Sequence, residues 1–393
     1  RTDEKRSCRT LEGFSYFSRC HNEKAMKSQI FRSDVVGSML RPKFLLEAQE
    51  QRKAGEISAA QLTLAEDKAI REAVTIQEKT GVDVVTDGEM RRPVFCHNFV
   101  KACDGFAWNV PGNTVVWFDM KGNKIVDPVT VGVVKKIEKK HDISIDEFSF
   151  LRAITNKPVK ITIPSPTMMS YYFVPGLSNK VYPSPMAFLH DVTRILRESI
   201  SELERIGVTH IQVDAPDFGM LLDPIQQAWF ARKGFHPDTL IHEGVEMINE
   251  MLNGFSGTKA LHICRGNDKN RFMAKGGYEK IAHVVFTKAK VNRLLLEFDS
   301  DRAGDFSPLR HVPKDKIIVL GLVTTKSPTL EEPQAIIRRI REASAFVPID
   351  RLALSTQCGF ASVAKGNNLT FLDQEKKLRL VVNVARQVWG DMI

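Results

Sequence analysis

The chain has 393 residues, 43% of them hydrophobic and 26% charged, and a formal net charge of +9 at neutral pH. That is an ordinary globular composition, long enough for one large barrel or two modest domains, and no run approaches the ~18 uninterrupted apolar residues of a membrane span. The positive excess is concentrated at the start, where residues 1–32 hold eight Lys and Arg against four Asp and Glu. What remains is too diffuse for a nucleic-acid binder and is compatible with anionic small substrates.

Residues 1–27 are basic, polar and without periodicity, so a flexible N-terminal extension is expected there. Its acids, Asp3, Glu4, Glu12 and Glu23, argue against an organellar presequence. From residue 28 onward, short β-branched runs alternate with helical stretches, the pattern of a parallel α/β sheet. Strands are expected at 31–38, 82–89, 158–166, 210–216, 260–266, 293–300, 316–325 and 351–359. Helices are expected at 43–54, 58–80, 186–206, 225–253, 277–289, 330–345 and 371–389, with Ser184-Pro185 and Ser327-Pro328 as start signals for the third and sixth. Eight strand–helix units predict a (β/α)8 TIM barrel forming a single domain over 28–393. A doubly wound sheet is the alternative, but no Gly-rich phosphate turn follows the first strand. After strand 2, residues 95–155 alternate and carry Gly-Asn turns, which predicts a β-hairpin insertion above the barrel mouth.

The six cysteines, at 8, 20, 96, 103, 264 and 358, show no paired spacing, so a reducing, cytoplasmic setting is expected and a disulfide framework is not. Cys8, Cys20, Cys96 and Cys103 read as structural or incidental. Cys264 is different, because the strand LHICRG places His262 and Cys264 two apart and therefore on one face. Each predicted strand also ends by breaking its apolar pattern: Gly37-Ser38, Asp87-Gly88-Glu89, Asp214, Glu297 with Asp299, Thr324-Thr325 and Cys358. In a barrel these ends gather at one mouth, where active sites lie. His262, Cys264, Glu297 and Cys358 are all good Zn2+ ligand types, and two thiolates with a carboxylate would make an electron-rich site suited to thiol alkylation rather than hydrolysis. Each also has an ordinary reading, as a core histidine, a small buried hydrophobe or a surface-pointing strand end.

The runs VVGSMLRP, TDGEMRR, IQVDAPDFG, LHICRGN, LLLEFDS and LALSTQCGF resemble, in order over about residues 28–390, the catalytic barrel of cobalamin-independent methionine synthase. The likeness is closest to the short single-barrel branch that includes epoxyalkane:coenzyme M transferase. The resemblance implies a TIM barrel whose zinc, held by His262, Cys264, Glu297 and Cys358, activates a thiol. It further implies that Val36, Gly37 and Ser38 contact the amino-acid thiol, that Asp214 grips its amino group and that Glu89 is a carboxylate near the same substrate; Glu89 and Asp214 are the candidate catalytic residues. Tyr171 and Tyr172 are the candidates for a donor pocket. Glu89 and Asp214 also admit a plain reading as ion-pair partners of Arg91, Arg92 or Arg265.

Two departures from the family pattern bear on the donor. The chain has no room for the second, amino-terminal barrel of long synthases, and the family's Asp-Val-His-Ser-Pro reads here Thr324-Thr325-Lys326-Ser327-Pro328. The histidine that would protonate the leaving group is thus replaced, and Lys326 reads as a solvated lysine at a loop–helix junction. The expected activity is zinc-dependent methyl transfer to homocysteine, forming methionine, like a 5-methyltetrahydropteroyltriglutamate–homocysteine S-methyltransferase. Free methyltetrahydrofolate monoglutamate is expected to be a poor donor beside a methylcorrinoid, a sulfonium or a strained alkyl compound. Alternatives are alkylation of a coenzyme M-type thiol by an epoxide, a non-catalytic zinc-stabilised barrel, and a decarboxylation that would leave the cysteines unexplained. The expected partners are a small-molecule thiol and an alkyl donor, with room for a homo-oligomer and no call for nucleic acid or membrane.

Overall fold

The computed structural model describes residues 30–390, so the extension expected over 1–27, with Cys8 and Cys20, lies outside the described residues. From Phe31 on, the chain forms one compact unit. It opens with β1 (Ser33–Asp34), α1 (Lys43–Ala54) and α2 (Ala59–Thr80). A capping box starts α2: Ser58 accepts from the Gln61 amide while the Gln61 side chain accepts from the Ser58 amide. Next come α3 (His97–Ala102), β2 (Cys103–Ala107), β3 (Thr114–Phe118), β4 (Lys124–Pro128), β5 (Gly132–Lys139) and α4 (Ile145–Ile154). The regular alternation follows with β6 (Ile161–Pro164), α5 (Pro185–Arg205), β7 (His210–Asp214), α6 (Pro216–Met220), α7 (Pro224–Arg232), α8 (Pro237–Met251) and β8 (Thr258–Ile263). It closes with α9 (Glu279–Lys288), β9 (Arg293–Glu297), β10 (Ile317–Val323), α10 (Pro333–Ala343), β11 (Leu352–Thr356) and α11 (Phe371–Trp389).

Seven strands form one parallel sheet in the order β1-β11-β10-β9-β8-β7-β6. The stretch expected as the second strand, 82–89, is reduced to a single parallel bridge, Val85 with Val159. Its amides still bond to both sheet edges, Asp83 to the Ser33 carbonyl (3.1 Å) and Val85 to the Pro158 carbonyl (2.9 Å), so the sheet curls in TIM-barrel-like fashion. It stops short of a full strand because the Asp83 side chain takes the Arg32 and Ser33 amides and Gly88 and Glu89 turn away with positive φ.

Other expected elements are also corrected. Only Ser33–Asp34 of 31–38 joins the sheet, because the Val36 and Gly37 carbonyls accept from the side chains of Gln212 and Thr86. The single helix expected over 225–253 is two, α7 and α8, broken where Gly234 adopts φ +84° and where Pro237 starts a new helix. Pro185 does open its helix, with Ser184 as cap, but α10 begins at Pro333 rather than Pro328. Glu331 holds the intervening loop by accepting from the Thr324 amide and pairing with Lys377. The insertion contains two antiparallel ribbons, β2 with β5 and β3 with β4.

Within the curl, Ala260, Leu295, Val319 and Ala353 form a separate small apolar layer, whereas Leu261, Ile263, Leu294 and Leu296 join the larger core under the helices. Period-two alternation therefore sends Ala260, His262 and then Cys264 inward. A buried polar string also crosses the interior. Arg293 and Lys160 both pair with Asp34 (3.3 and 2.6 Å), Lys160 donates to Gln212 (2.7 Å), and Gln212 donates to Asp214 (2.7 Å). Burial alone would raise the Asp34 carboxyl, but Lys160 and Arg293 hold it below its ordinary value.

Asp217, in α6, shows the opposite balance. Although Ser165 and Thr167 donate hydrogen bonds to it, burial pushes its carboxyl from 3.8 up to about 6. A carboxyl raised on folding stabilises the fold fully below its unfolded value and loses that contribution as pH rises through the folded one. Asp217→Asn is therefore expected to add about 2–3 kcal/mol of stability near pH 7.5 and almost none near pH 4, measured by paired denaturant melts. A gain of equal size at both pH values would show that charge burial is not its source.

Candidate functional site

His262 lies on β8, which runs on from Ile263 into Cys264, while β11 leads into Cys358. One ligand atom from each of these three lies within 4.8 Å of the others, and all three residues are buried. The two sulfurs are 3.8 Å apart. Among the described residues neither ring nitrogen of His262 meets an oxygen or nitrogen partner, and its interaction is with the Cys358 sulfur. A buried imidazole left facing only thiols carries a desolvation cost that a metal ion would remove, so this donor set fits zinc. The hydrogen bond with Cys264 holds the Cys358 thiol well below its ordinary value against the opposing effect of burial, with His262 adding to the effect. The same contact, and then burial, push Cys264 well up.

Glu297 ends β9 fully buried, with Oε1 on the Arg302 guanidinium (2.8 Å) and Oε2 on the Arg265 amide (2.8 Å). Burial would raise its carboxyl, but Arg302, Arg265 and Lys326 keep it below the usual value. Three of the four expected ligands thus come together, and the fourth is engaged by other partners.

His262, Cys264 and Cys358 share a cavity of about 260 Å3 with Val36, Ser38, Glu89 and Asp214. Tyr171 and Tyr172 also line it; Gly37 and Glu297 do not. Gly37 backs it instead, since a Cβ there would lie 2.7 Å from Glu89 Oε1 and 3.2 Å from Thr162 Cγ2. Glu89 sits at φ +57°, uncommon for a side-chain-bearing residue, and that turn directs its carboxylate inward. Its Oε1 accepts from Thr162 (2.8 Å), and its Oε2 is buried without a partner. Arg92 approaches at 3.8 Å but makes its close pair with Glu147 (2.6 Å), while Arg91 pairs with Glu66 and Asp67. Burial raises Asp214 to about 7 despite the opposing charge of His262.

A family model described as the cobalamin-independent synthase catalytic domain matches residues 31–387. The chain belongs to that family. It is accordingly an enzyme of the homocysteine S-methyltransferase type. It is 35% identical to the uncharacterized protein YxjH of Bacillus subtilis, over 93% of this chain and 97% of that one. A methionine synthase of Pyrococcus abyssi is 27% identical over 92% of this chain and 93% of its own length. Among solved structures, a putative vitamin-B12 independent methionine synthase from Listeria monocytogenes matches at 29% identity and TM-score 0.67, covering 92% of this chain and 98% of that one.

For a cobalamin-independent synthase domain, the rest of this cavity is where sequence reasoning fell short. Trp108, Trp117, His97 and Val129 line it from the insertion, whose alternating residues read as ordinary ribbon packing. Cys96, set aside as incidental, also lines it, with its sulfur 3.2 Å from the Tyr172 hydroxyl. Lys326 is corrected outright, being buried rather than solvated. Its amino group donates to the Gly266 carbonyl and to Asn267 Oδ1, both at 2.8 Å, and burial lowers its pKa.

Proposed function

We propose that this synthase-family enzyme methylates homocysteine to methionine at a zinc centre, with His262, Cys264 and Cys358 as the residues that would hold the metal and leave it open to the incoming thiol. The observation that carries the reading is the clustering of those three donors in the wall of a cavity that also holds two buried carboxylates. Zinc bound there would supply a Lewis acid that keeps the thiol deprotonated yet nucleophilic. The protein's own residues do the rest. Asp214, fixed by Gln212, and Glu89, with its free Oε2, match the ammonium of an amino-acid thiol. Ser38 and the flanking Val36 and Gly37 shape the region beside them, and the apolar wall excludes water while the partners are aligned. A coenzyme M-type thiol suits this cavity less well, because its sulfonate would face Glu89 and Asp214.

A thiol panel tests this reading. Zinc-loaded protein should hold about one metal per chain, and its X-ray absorption should gain a sulfur ligand with homocysteine but not with coenzyme M, cysteine or glutathione. A protein that retains no zinc after loading and desalting, or whose zinc responds to none of the four thiols, defeats the proposal.

A further inference from the structure

We propose that the alkyl donor is a compact sulfonium cation, bound on the aromatic and acidic side of the cavity. This inference rests on the thiol-methyltransferase reading above and adds the chemical class of its second substrate.

Three observations carry it. The first is charge. Glu89 and Asp214 face the cavity, and none of the described lining residues is Lys or Arg. Nearby cations are committed elsewhere: Arg92 to Glu147, Lys326 to Gly266 and Asn267, and Arg271, which covers Trp117, to Asp127 and Asp268. With one substrate ammonium set against two carboxylates, a donor carrying phosphate, sulfonate or several carboxylates would meet uncompensated negative charge, whereas a cation would complete the balance.

The second is the aromatic surface. Trp108, Trp117, Tyr171 and Tyr172 line the cavity, and His97 bridges two of them, with its ring centroid 5.3 Å from that of Trp108 and 6.0 Å from that of Tyr172. Ring faces of this kind attract onium groups through their quadrupoles. The third is size. At about 260 Å3 the cavity lies at the low end of the ~300–1,000 Å3 of sites that take drug-sized ligands, so a small donor beside a thiol amino acid fits it better than a pterin or a corrinoid.

The chemistry agrees. With the thiol already deprotonated, its lone pair forms the new S–CH3 bond, and the pair of the breaking S+–CH3 bond returns to the sulfonium sulfur, which leaves as a neutral sulfide. No proton moves. A pterin amine or an epoxide oxygen would instead need protonation as it leaves. Lys326 and Tyr171 are not free to give that proton, since Lys326 donates to two acceptors and the Tyr171 hydroxyl is directed at the thioethers of Met220 and Met273, and Asp214 and Glu89 are taken by the ammonium of the thiol substrate in the reading above.

The test uses the zinc-loaded full chain with deuterium-labelled homocysteine and, at matched concentrations, S-methylmethionine, trimethylsulfonium, methyltetrahydrofolate monoglutamate and methylcobalamin. Labelled methionine should form at least about 100-fold faster with a sulfonium than with the folate, the scale of a missing general acid. Tetramethylammonium, an unreactive analogue, should inhibit competitively against the sulfonium. Trp108→Leu, at a half-exposed position, should raise KM for the sulfonium by about tenfold with zinc content and homocysteine affinity retained. Homocysteine binding by calorimetry separates the two levels. Binding without sulfonium turnover, or faster turnover with folate or methylcobalamin, overturns the donor assignment alone; absence of homocysteine binding overturns the function and the donor assignment together.

Discussion

Cys358→Ser and Cys264→Ser should each lose zinc and turnover while remaining folded. Both thiols are buried beside a histidine with no other partner, and a serine hydroxyl stays protonated near neutrality and so cannot replace a thiolate ligand. Changes in residues that merely orient ligands already cost 10–100-fold in metal affinity, so loss of a ligand should cost about 100-fold or more. Without the Lewis acid, turnover should fall by about three orders of magnitude. The isosteric change leaves the sheet's hydrogen bonds untouched and should cost stability only about 1–2 kcal/mol. Zinc analysis, a thermal melt and a methyl-transfer rate on the same preparation decide the matter. A variant with full zinc and a wild-type rate would remove Cys264 or Cys358 from the metal set.

Asp214→Asn should act on the substrate and spare the metal. Its carboxylate is oriented by Gln212 at the end of the string from Arg293 through Asp34 and Lys160, so the amide should occupy the same place without the charge. Truncating one member of a buried charged pair costs about 2–5 kcal/mol, which corresponds to about 30- to 5,000-fold in kcat/KM for homocysteine, mostly as a rise in KM. The control is 4-mercaptobutyrate, homocysteine without its amino group. If Asp214 binds the ammonium, wild type and variant should use this analogue equally poorly. An equal proportional loss on both thiols would assign Asp214 to the metal surroundings.

The strand ends were legible because a parallel strand buried on both faces has little reason to finish in His, Cys or Asp, and those interruptions are local in sequence. His262, Cys264 and Cys358 meet as that reasoning requires. Glu297 was placed correctly at its strand end, but its partner Arg302 comes from a following loop with no periodic signature. Lys326 was misread for a related reason. A Thr-Thr-Lys-Ser-Pro stretch looks solvated, and its burial depends on acceptors at Gly266 and Asn267, some sixty positions away. Val82 to Glu89 carried strand composition, yet the Asp83 side chain and the turn at Gly88 allow it only one bridge. The cavity's aromatic wall gave least warning, because a tryptophan on a ribbon looks the same in sequence whether it faces a core or a ligand.

That wall has a different footing from the rest of the cavity. The metal donors and Asp214 stand on or just beyond the ends of sheet strands, whereas Trp117 stands on a ribbon joined to the segment after β8 by a bridge from Phe118 to Phe272, and Trp108 follows β2 in another ribbon. Phe272 is followed by Met273, whose amide bonds to the Arg265 carbonyl next to Cys264, so the ribbon and a metal donor are two backbone contacts apart. Changes at Trp117 and at Cys264 should therefore combine non-additively: a wall retuned for another co-substrate is also felt at the centre that holds the nucleophile.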